Sequence, residues 1–429
     1  MKETINKSAH PSFKEKLNKG IKIISAYLIG QGSIQILQII SGFLLIRWLS
    51  IEEYAQYSMT FAFQATAQML VEFGFSGAII ALVGDKINDK LLIGKYIHAG
   101  QQLRNRMFLI VGSICLFLFP YLTLRQDWSF STTLLLLIAI LSNLYFSGWS
   151  SYYGAPLKIH RSLNKFYQIQ VKNSAIKLFL IGVLYITSLL NAWLAALSGS
   201  LQTILNGFFL KKASFKYIEE PSEIDNHIKN DMMRYISPMI PGIVFGAFQS
   251  QISIFIISFF GQTENISEVG ALNRIGQIFN ILNLASNILI APYIARQTKI
   301  GLLNKYVGIV IVSIFISSII VIIGICFPYP FLYLLGSKYL HLQKELGLLL
   351  LSSSLGYING VIWAMNAARK WIFYWVPLIT IPGIIIVQVF SVNFLTLNTT
   401  YNVLLFSMIT NIFVLLIRVI VGIYGFLKK

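Results

Sequence analysis

Amide and hydroxyl side chains recur at helical spacing inside four apolar stretches of this chain. Gln31, Gln35, Gln38 and Gly42 follow one another at intervals of four, three and four residues. Thr60, Gln64, Gln68, Glu72 and Ser76 recur every four residues, a stripe that winds slowly round its helix. Asn273, Gln277, Asn280, Asn283 and Asn287 share one face, with Arg274 beside them. Pro238, Pro241, Gly242, Gly246, Gln249 and Ser253 punctuate the fourth stretch. Residues three or four apart lie on the same side of an α-helix. Within a bilayer such groups cost free energy against lipid, so they turn toward a bundle interior or a wet cavity. A single amide is accounted for by one interhelical hydrogen bond, worth ~0.6 kcal/mol. Four helices striped together point instead to a hydrated central cavity.

Charged groups inside the apolar stretches are few. Arg274, Lys177 and Arg418 are the cations, and a lone charge at the bilayer centre costs about 2.5–3.5 kcal/mol on insertion scales. Lys177 lies near Asn173, and Arg418 shares helical spacing with Ser407 and Asn411. Both have stems long enough to reach inner headgroups. Arg274 accompanies a polar face and is harder to explain that way. Arg47 stands at a helix end, where headgroups can hold it. Glu72 is the only acidic residue well inside a span. Left ionised and alone it is costly, so it requires a cationic partner, a bound ion or a proton. It reads either as half of a structural ion pair or as a proton or sodium site or gate. His10, His98, His160, His227 and His341 are scattered without metal-ligand spacing, and no phosphate-binding glycine loop occurs. Cys115 and Cys326 lie in apolar runs and make no disulfide framework. No catalytic residue, metal site or cofactor is expected, apart from a coupling ion.

The elements that must carry these groups are membrane spans. Of 429 residues, 56% are hydrophobic and 12% charged, against about 25% charged in ordinary soluble proteins. Mean hydropathy is +0.69. This composition excludes a cytosolic enzyme, a disordered chain and a fibrous one. Apolar stretches long enough to span a bilayer occur at 21–48, 56–84, 105–124, 132–155, 171–189, 192–210, 235–259, 268–295, 303–327, 345–367, 371–394 and 399–426. Only Asn191 separates the fifth from the sixth. The expected architecture is an all-α polytopic membrane protein of twelve helices around a central cavity. It comprises a cytoplasmic tail (1–20), a six-helix lobe (21–210), a cytoplasmic linker (211–234) and a second six-helix lobe (235–429). The striped spans occupy matching positions, first and second in each lobe, which suggests an internal repeat with the substrate path between halves.

The net charge is +18. With both termini in the cytoplasm, 27 of the 34 basic residues fall on that side. Arg47, Arg125, Lys338 and Lys344 fall on the other. The basic residues are spread through connections rather than gathered in one patch, which argues against a nucleic-acid partner. The first apolar segment is too long for a cleaved signal peptide and lacks a small-residue cleavage site.

Span 1 runs into span 2 as Gly-Phe-Leu-Leu-Ile-Arg47-Trp-Leu-Ser-Ile-Glu-Glu53-Tyr54-Ala55-Gln-Tyr57, followed by Val-Glu72-Phe-Gly74-Phe-Ser-Gly77-Ala. In the second half, Val269-Gly270-Ala-Leu-Asn-Arg274-Ile, Ile290-Ala-Pro292 and Leu334-Leu-Gly336-Ser-Lys338-Tyr339 follow. This pattern resembles Wzx-type flippases and related polysaccharide transporters of the multidrug/oligosaccharidyl-lipid/polysaccharide superfamily. Ala55 replaces the family's usual glycine, and glutamate stands where aspartate is common. The resemblance implies a non-enzymatic flippase in the bacterial cytoplasmic (inner) membrane. It would carry an undecaprenyl-pyrophosphate-linked O-antigen or capsule repeat unit from the inner to the outer leaflet. It implies contact with lipid, function as a monomer, and a polysaccharide polymerase and chain-length regulators as partners. Arg274, Lys177, Arg418 and Arg47 become the expected phosphate-binding cations. Gln31, Gln35, Gln38, Gln64, Gln68, Asn273, Gln277 and Asn280 become the expected cavity lining, and Glu72 the coupling or gate residue. The prolines of span 7 would allow it to bend.

A multidrug extruder of the same superfamily is the main alternative. Three intramembrane cations to one carboxylate argue against it. A membrane-embedded polymerase or ligase usually has a large outer loop, and 328–344 is short. A purely structural scaffold has no need of striped amides. Reporter fusions test the topology: phosphatase joined after residues 128 and 190 should be active, and after 220 inactive.

Overall fold

The computed structural model describes residues 13–84, 86–220, 226–298 and 300–428, with side chains from residue 29 onward. Residues 1–12 of the expected tail and 221–225 of the expected linker lie outside the described residues. No strand occurs among those described. The first lobe comprises α1 (Phe13–Trp48), α2 (Ile51–Glu72), α3 (Phe75–Val83), α4 (Lys90–Arg125), α5 (Phe130–Ile159), α6 (Leu163–Ile186) and α7 (Ala192–Ser214). An amphipathic helix, α8 (Asn226–Ile236), leads to α9 (Ile240–Gln249), α10 (Ile252–Phe260), α11 (Thr263–Ala295) and α12 (Leu302–Cys326). The short α13 (Pro328–Leu335), then α14 (Gln343–Ala368), α15 (Trp375–Phe394) and α16 (Thr400–Leu427) complete the chain. Among the described residues, eleven helices, or twelve counting one broken span, are long and apolar enough to cross a membrane. The expected all-helical, polytopic class is what the chain adopts.

Helix ends fall where side chains can hold the unpaired backbone groups. Ser50 and Glu53 form a reciprocal capping box at the start of α2, with bonds of 3.1 and 3.0 Å. Asn191 accepts the Leu194 N–H at 3.0 Å, so one residue suffices to separate α6 from α7. Asp89 caps α4 in the same way, at 2.9 Å. That span therefore starts at Lys90, well before the apolar stretch at 105, because its first turns are amphipathic and bury Ile93, Tyr96 and Ile97. Likewise α1 starts at Phe13, inside the stretch expected to be tail.

Two features of the span pattern need correction. The seventh span is bent by 52° between Asn226–Gln249 and Ile252–Phe260. The bend falls at Ser250 and Gln251, not at its prolines. Pro238 and Pro241 sit in first helical turns, where a missing N–H costs nothing. The 211–234 connection is also more structured than a linker. Ile228, Met232 and Ile236 of α8 are buried at intervals of four and pack on α3 and α4. Glu219 N–H bonds Lys90 O at 3.2 Å. A Cβ on Gly94 would stand 1.9 Å from Glu219 O, so only glycine admits this approach.

The halves pack alike. α5 lies along α7 in the first and α14 along α16 in the second, while α2 meets α11 between them. Interlobe hydrogen bonds gather at the end away from the basic connections. Arg47 donates to Tyr333 O at 3.1 Å and Lys338 donates to Leu49 O. Gln126 Nε2 donates to Ser258 O and Gly261 O at 3.1 and 3.0 Å. Trp128 Nε1 donates to Thr263 Oγ1 at 3.1 Å. Burial pulls the Lys338 ammonium below the usual lysine range, with Glu53 opposing the shift. Two turns in from that end the interface depends on Gly270: a Cβ there would lie 2.3 Å from Ser58 Oγ. Overpacking typically costs ~1–3 kcal/mol. Gly270→Leu should accordingly lower the melting temperature of the detergent-purified protein, and an unchanged melt would mean that α2 and α11 are not so apposed.

Candidate functional site

The polar stripes converge on two cavities rather than one. The first, of about 270 Å³, lies within the first lobe. Gln38 from α1, Gln64 and Gln68 from α2, and Lys177 from α6 line it. The second, of about 410 Å³, lies between α2 and the second lobe. Asn273, Arg274, Gln277, Asn280 and Asn283 from α11 form one wall, and Gln249 and Gln251 at the broken span form another. Phe61 borders both cavities, and Tyr57 borders the first.

The break in the seventh span opens polar groups to the second cavity. Ser253 and Ser407 hydroxyls meet at 2.7 Å, and Gln388 Nε2 donates to Gln249 Oε1 at 2.8 Å. Further lining comes from helices whose contribution the stripes did not reveal. Ser352, Ser353 and Asn411 complete the second cavity; Asn143, Ser174 and Gln202 are among those completing the first. The run Ser352-Ser353-Ser354 in an apolar helix was a legible signal. The isolated amides were not.

Of the four expected cations, two reach the cavities. The Arg274 guanidinium lies over the Phe61 ring at 4.9 Å and interacts with the Tyr54 and Tyr57 hydroxyls. Its bed on α1 is Gly42, where a Cβ would lie 3.3 Å from Arg274 Cδ. Lys177 stands 3.8 Å from where a Cβ on Gly199 would be. The other two are placed elsewhere. Arg418 donates to Asn359 O and lies over Trp363 at 5.7 Å, fastening α16 to α14. Arg47 donates to Tyr333 O and lies over its ring at 5.2 Å, within the interlobe clamp. Both are consumed by packing because their helical faces point at a neighbouring helix, which periodicity within one helix does not report. Gln31 and Gln35 lie half-buried outside both cavities. Here α1 packs on α6, with Gly30 against the Tyr167 ring.

Glu72 lies apart from both cavities, at the junction of α2 and α3. Phe73 and Gly74 take left-handed conformations, φ 49° and 81°, which interrupt the helix. Glu72 Oε1 then accepts the Ser76 N–H at 3.0 Å, across the first turn of α3. A carboxylate is favoured there by the helix dipole. Arg104 and Lys158 are the cations that act on it. Arg104 was expected in a basic connection. It is instead 3% exposed, because α4 begins fourteen residues earlier, and it donates to Leu144 O and to Ser147 Oγ, the latter at 3.0 Å. Gly148 leaves it room: a Cβ there would lie 2.4 Å from Arg104 Cζ. With Gln101, Tyr145 and Tyr152 it borders a small cavity of about 170 Å³. The Asp89 cap was the sequence signal that could have drawn Arg104 into a helix.

Two apolar grooves adjoin the second cavity. One, between α2, α4 and the broken span, shares Ile252 with it. The other, between α11 and α12, shares Tyr357 and reaches Lys305 at the basic end. Among the described residues no cluster could hold a metal ion.

The profile of the polysaccharide biosynthesis protein family matches residues 21–298. The chain belongs to this family. The Wzx-type resemblance read from Arg47 to Gly77 thus holds at the family level. Among solved structures, the fold is shared with the lipid II flippase MurJ in an inward closed conformation, at TM-score 0.69 and 15% identity, covering 94% of this chain and 89% of that one. It is also shared with a multidrug resistance MATE family transporter of the MOP superfamily in an inward-facing conformation, at TM-score 0.64 and 14% identity, covering 92% and 94%. The eukaryotic MATE transporter AtDTX14 matches at TM-score 0.64 and 13% identity, covering 95% and 98%. No curated protein sequence matches. This family member is therefore a multi-pass membrane protein with a transporter fold.

The cap at Glu72 separates its geometry from its charge. Glu72→Ala removes the acceptor for Ser76 N–H and should destabilise the protein by about 1 kcal/mol. Glu72→Gln keeps an acceptor and should cost less than half as much in the same thermal melt. Equal losses would show that charge, rather than capping, dominates there.

Proposed function

We propose that this protein is a flippase for an undecaprenyl-pyrophosphate-linked oligosaccharide repeat unit, of O-antigen or capsule type. It would move this lipid from the inner to the outer leaflet of a bacterial cytoplasmic membrane by alternating access. The observation that carries the reading is the pairing of two amide-lined cavities, each with one cation, meeting at Phe61. Arg274 and Lys177 suit a phosphate-bearing head, since hydrogen bonds between ionised partners are the strong ones. The apolar grooves that share Ile252 and Tyr357 with the second cavity suit a polyprenyl tail left outside. A lipid II flippase shares the fold. Cationic-drug extrusion is disfavoured, because among the described residues neither cavity is lined by a carboxylate.

With the basic connections in the cytoplasm, the interlobe clamp of Arg47, Gln126, Trp128 and Lys338 closes the outer end. Glu72, at a helix break near the inner end, is the residue through which a proton or sodium gradient would act. The chain would work as a monomer, passing its product to a polymerase and chain-length regulators.

Reconstitution with a fluorescent lipid-linked oligosaccharide tests this. Losing a hydrogen bond to a charged group costs ~1.5–3 kcal/mol, so Arg274→Ala and Lys177→Ala should each slow flipping about tenfold or more. Arg274→Lys should retain part of the rate. Arg418→Ala, outside the lining of both cavities, should act through stability. Full flipping by an Arg274→Ala/Lys177→Ala double variant would remove the cation mechanism. Under an imposed proton or sodium gradient, Glu72→Gln should lose the gradient response. An undiminished response assigns coupling elsewhere.

A further inference from the structure

The second cavity has the chemistry of an uncharged carbohydrate site. Seven amide side chains line it: Gln249, Gln251 and Asn411, with Asn273, Gln277, Asn280 and Asn283 of α11. Serine hydroxyls from α10, α14 and α16 lie between them. An amide both donates and accepts, and so does a sugar hydroxyl, so the two pair without leaving charge behind. Arg274 is the one charged side chain among the described lining residues. The first cavity repeats the pattern: seven amides (Gln38, Gln64, Gln68, Asn143, Gln170, Gln202 and Asn206) and Lys177 as its one charged group. The two cavities together present two positive charges and, among the described residues, no carboxylate or histidine.

A pyrophosphate joining a polyprenol to a sugar carries two negative charges. Arg274 and Lys177 balance them, and no cation is left over. A carboxylate on the glycan would then enter a site walled by helices with nothing to neutralise it. The other cations inside the bundle are committed: Arg418 to Asn359 O, and Arg104 to Leu144 O and Ser147 Oγ. Burying an unpaired charge is costly enough to decide specificity.

We infer that the glycan carried by this protein is neutral, and that the amide-lined second cavity discriminates against acidic sugars. The inference deepens the flippase reading and rests on it.

Two lipids compared in proteoliposomes of the wild-type protein test it. One is polyprenyl pyrophosphate bearing a neutral disaccharide of hexose and N-acetylhexosamine. The other is the same lipid with hexuronic acid in place of the hexose. The neutral lipid should be flipped at least about tenfold faster, a difference of ~1.4 kcal/mol. Gln277→Arg adds a cation to the cavity wall and should narrow that ratio by raising the acidic rate. Equal rates for the two lipids, or a faster acidic one, overturn the neutral-glycan inference and leave the flippase reading standing. Failure to move either lipid overturns the flippase reading, and the inference with it.

Discussion

A positive charge held at membrane depth is cut off from bulk water, and the arrangement of this bundle follows from how each such charge is accommodated. Arg274 rests on Gly42, over Phe61 and beside Tyr54 and Tyr57. Arg104 rests on Gly148 and donates to Leu144 O and Ser147 Oγ. Lys177 stands close to Gly199. For the two arginines a glycine on a neighbouring helix lets the cation come close. For the arginines, aromatic faces or backbone oxygens stand in for the lost hydration. The helices that supply these partners are α1, α2, α5 and α7. Their positions fix where the cavities can be. Arg418, with Asn359 O and Trp363, obeys the same rule without a cavity.

Two interruptions give the bundle its function-bearing shape. At Phe73 and Gly74 the backbone turns left-handed, and Glu72 repairs the exposed end of α3. At Ser250 and Gln251 the seventh span breaks and turns polar groups into the second cavity. Irregular backbone at membrane depth is tolerated where protein or a cavity surrounds it, and both breaks meet that condition. The interlobe bonds at the opposite end, from Gln126 and Trp128 to the Ser258–Thr263 turn, hold the halves together while the cavities remain polar and unfilled by side chains.

Much of the fold was legible. Hydropathy counted the spans because lipid excludes unpaired backbone groups, leaving helices as the element available to apolar stretches of this length. Caps at Ser50 and Asp89 set boundaries that hydropathy alone misplaced, and the Asn191 cap falls where hydropathy put it. The stripe Asn273–Asn283 lines a cavity wall, as do Gln64 and Gln68. Gln31 and Gln35 do not, although they share a stripe with Gln38, because the cavity reaches only part of the length of α1.

The amino-acid sequence by itself determined an all-helical membrane bundle of two matching halves, with amides and a small excess of cations inside. Composition and spacing are one-dimensional, and those conclusions need only one dimension. Tertiary structure decided how the polar groups are shared out. It divided one expected cavity into two at Phe61, gave Arg274 and Lys177 to those cavities, and fastened Arg47 and Arg418 into packing. It also moved Arg104 from a connection into the protein interior beside Glu72. Each of these depends on which helix stands opposite a given face, and that is settled by packing between segments far apart in the chain.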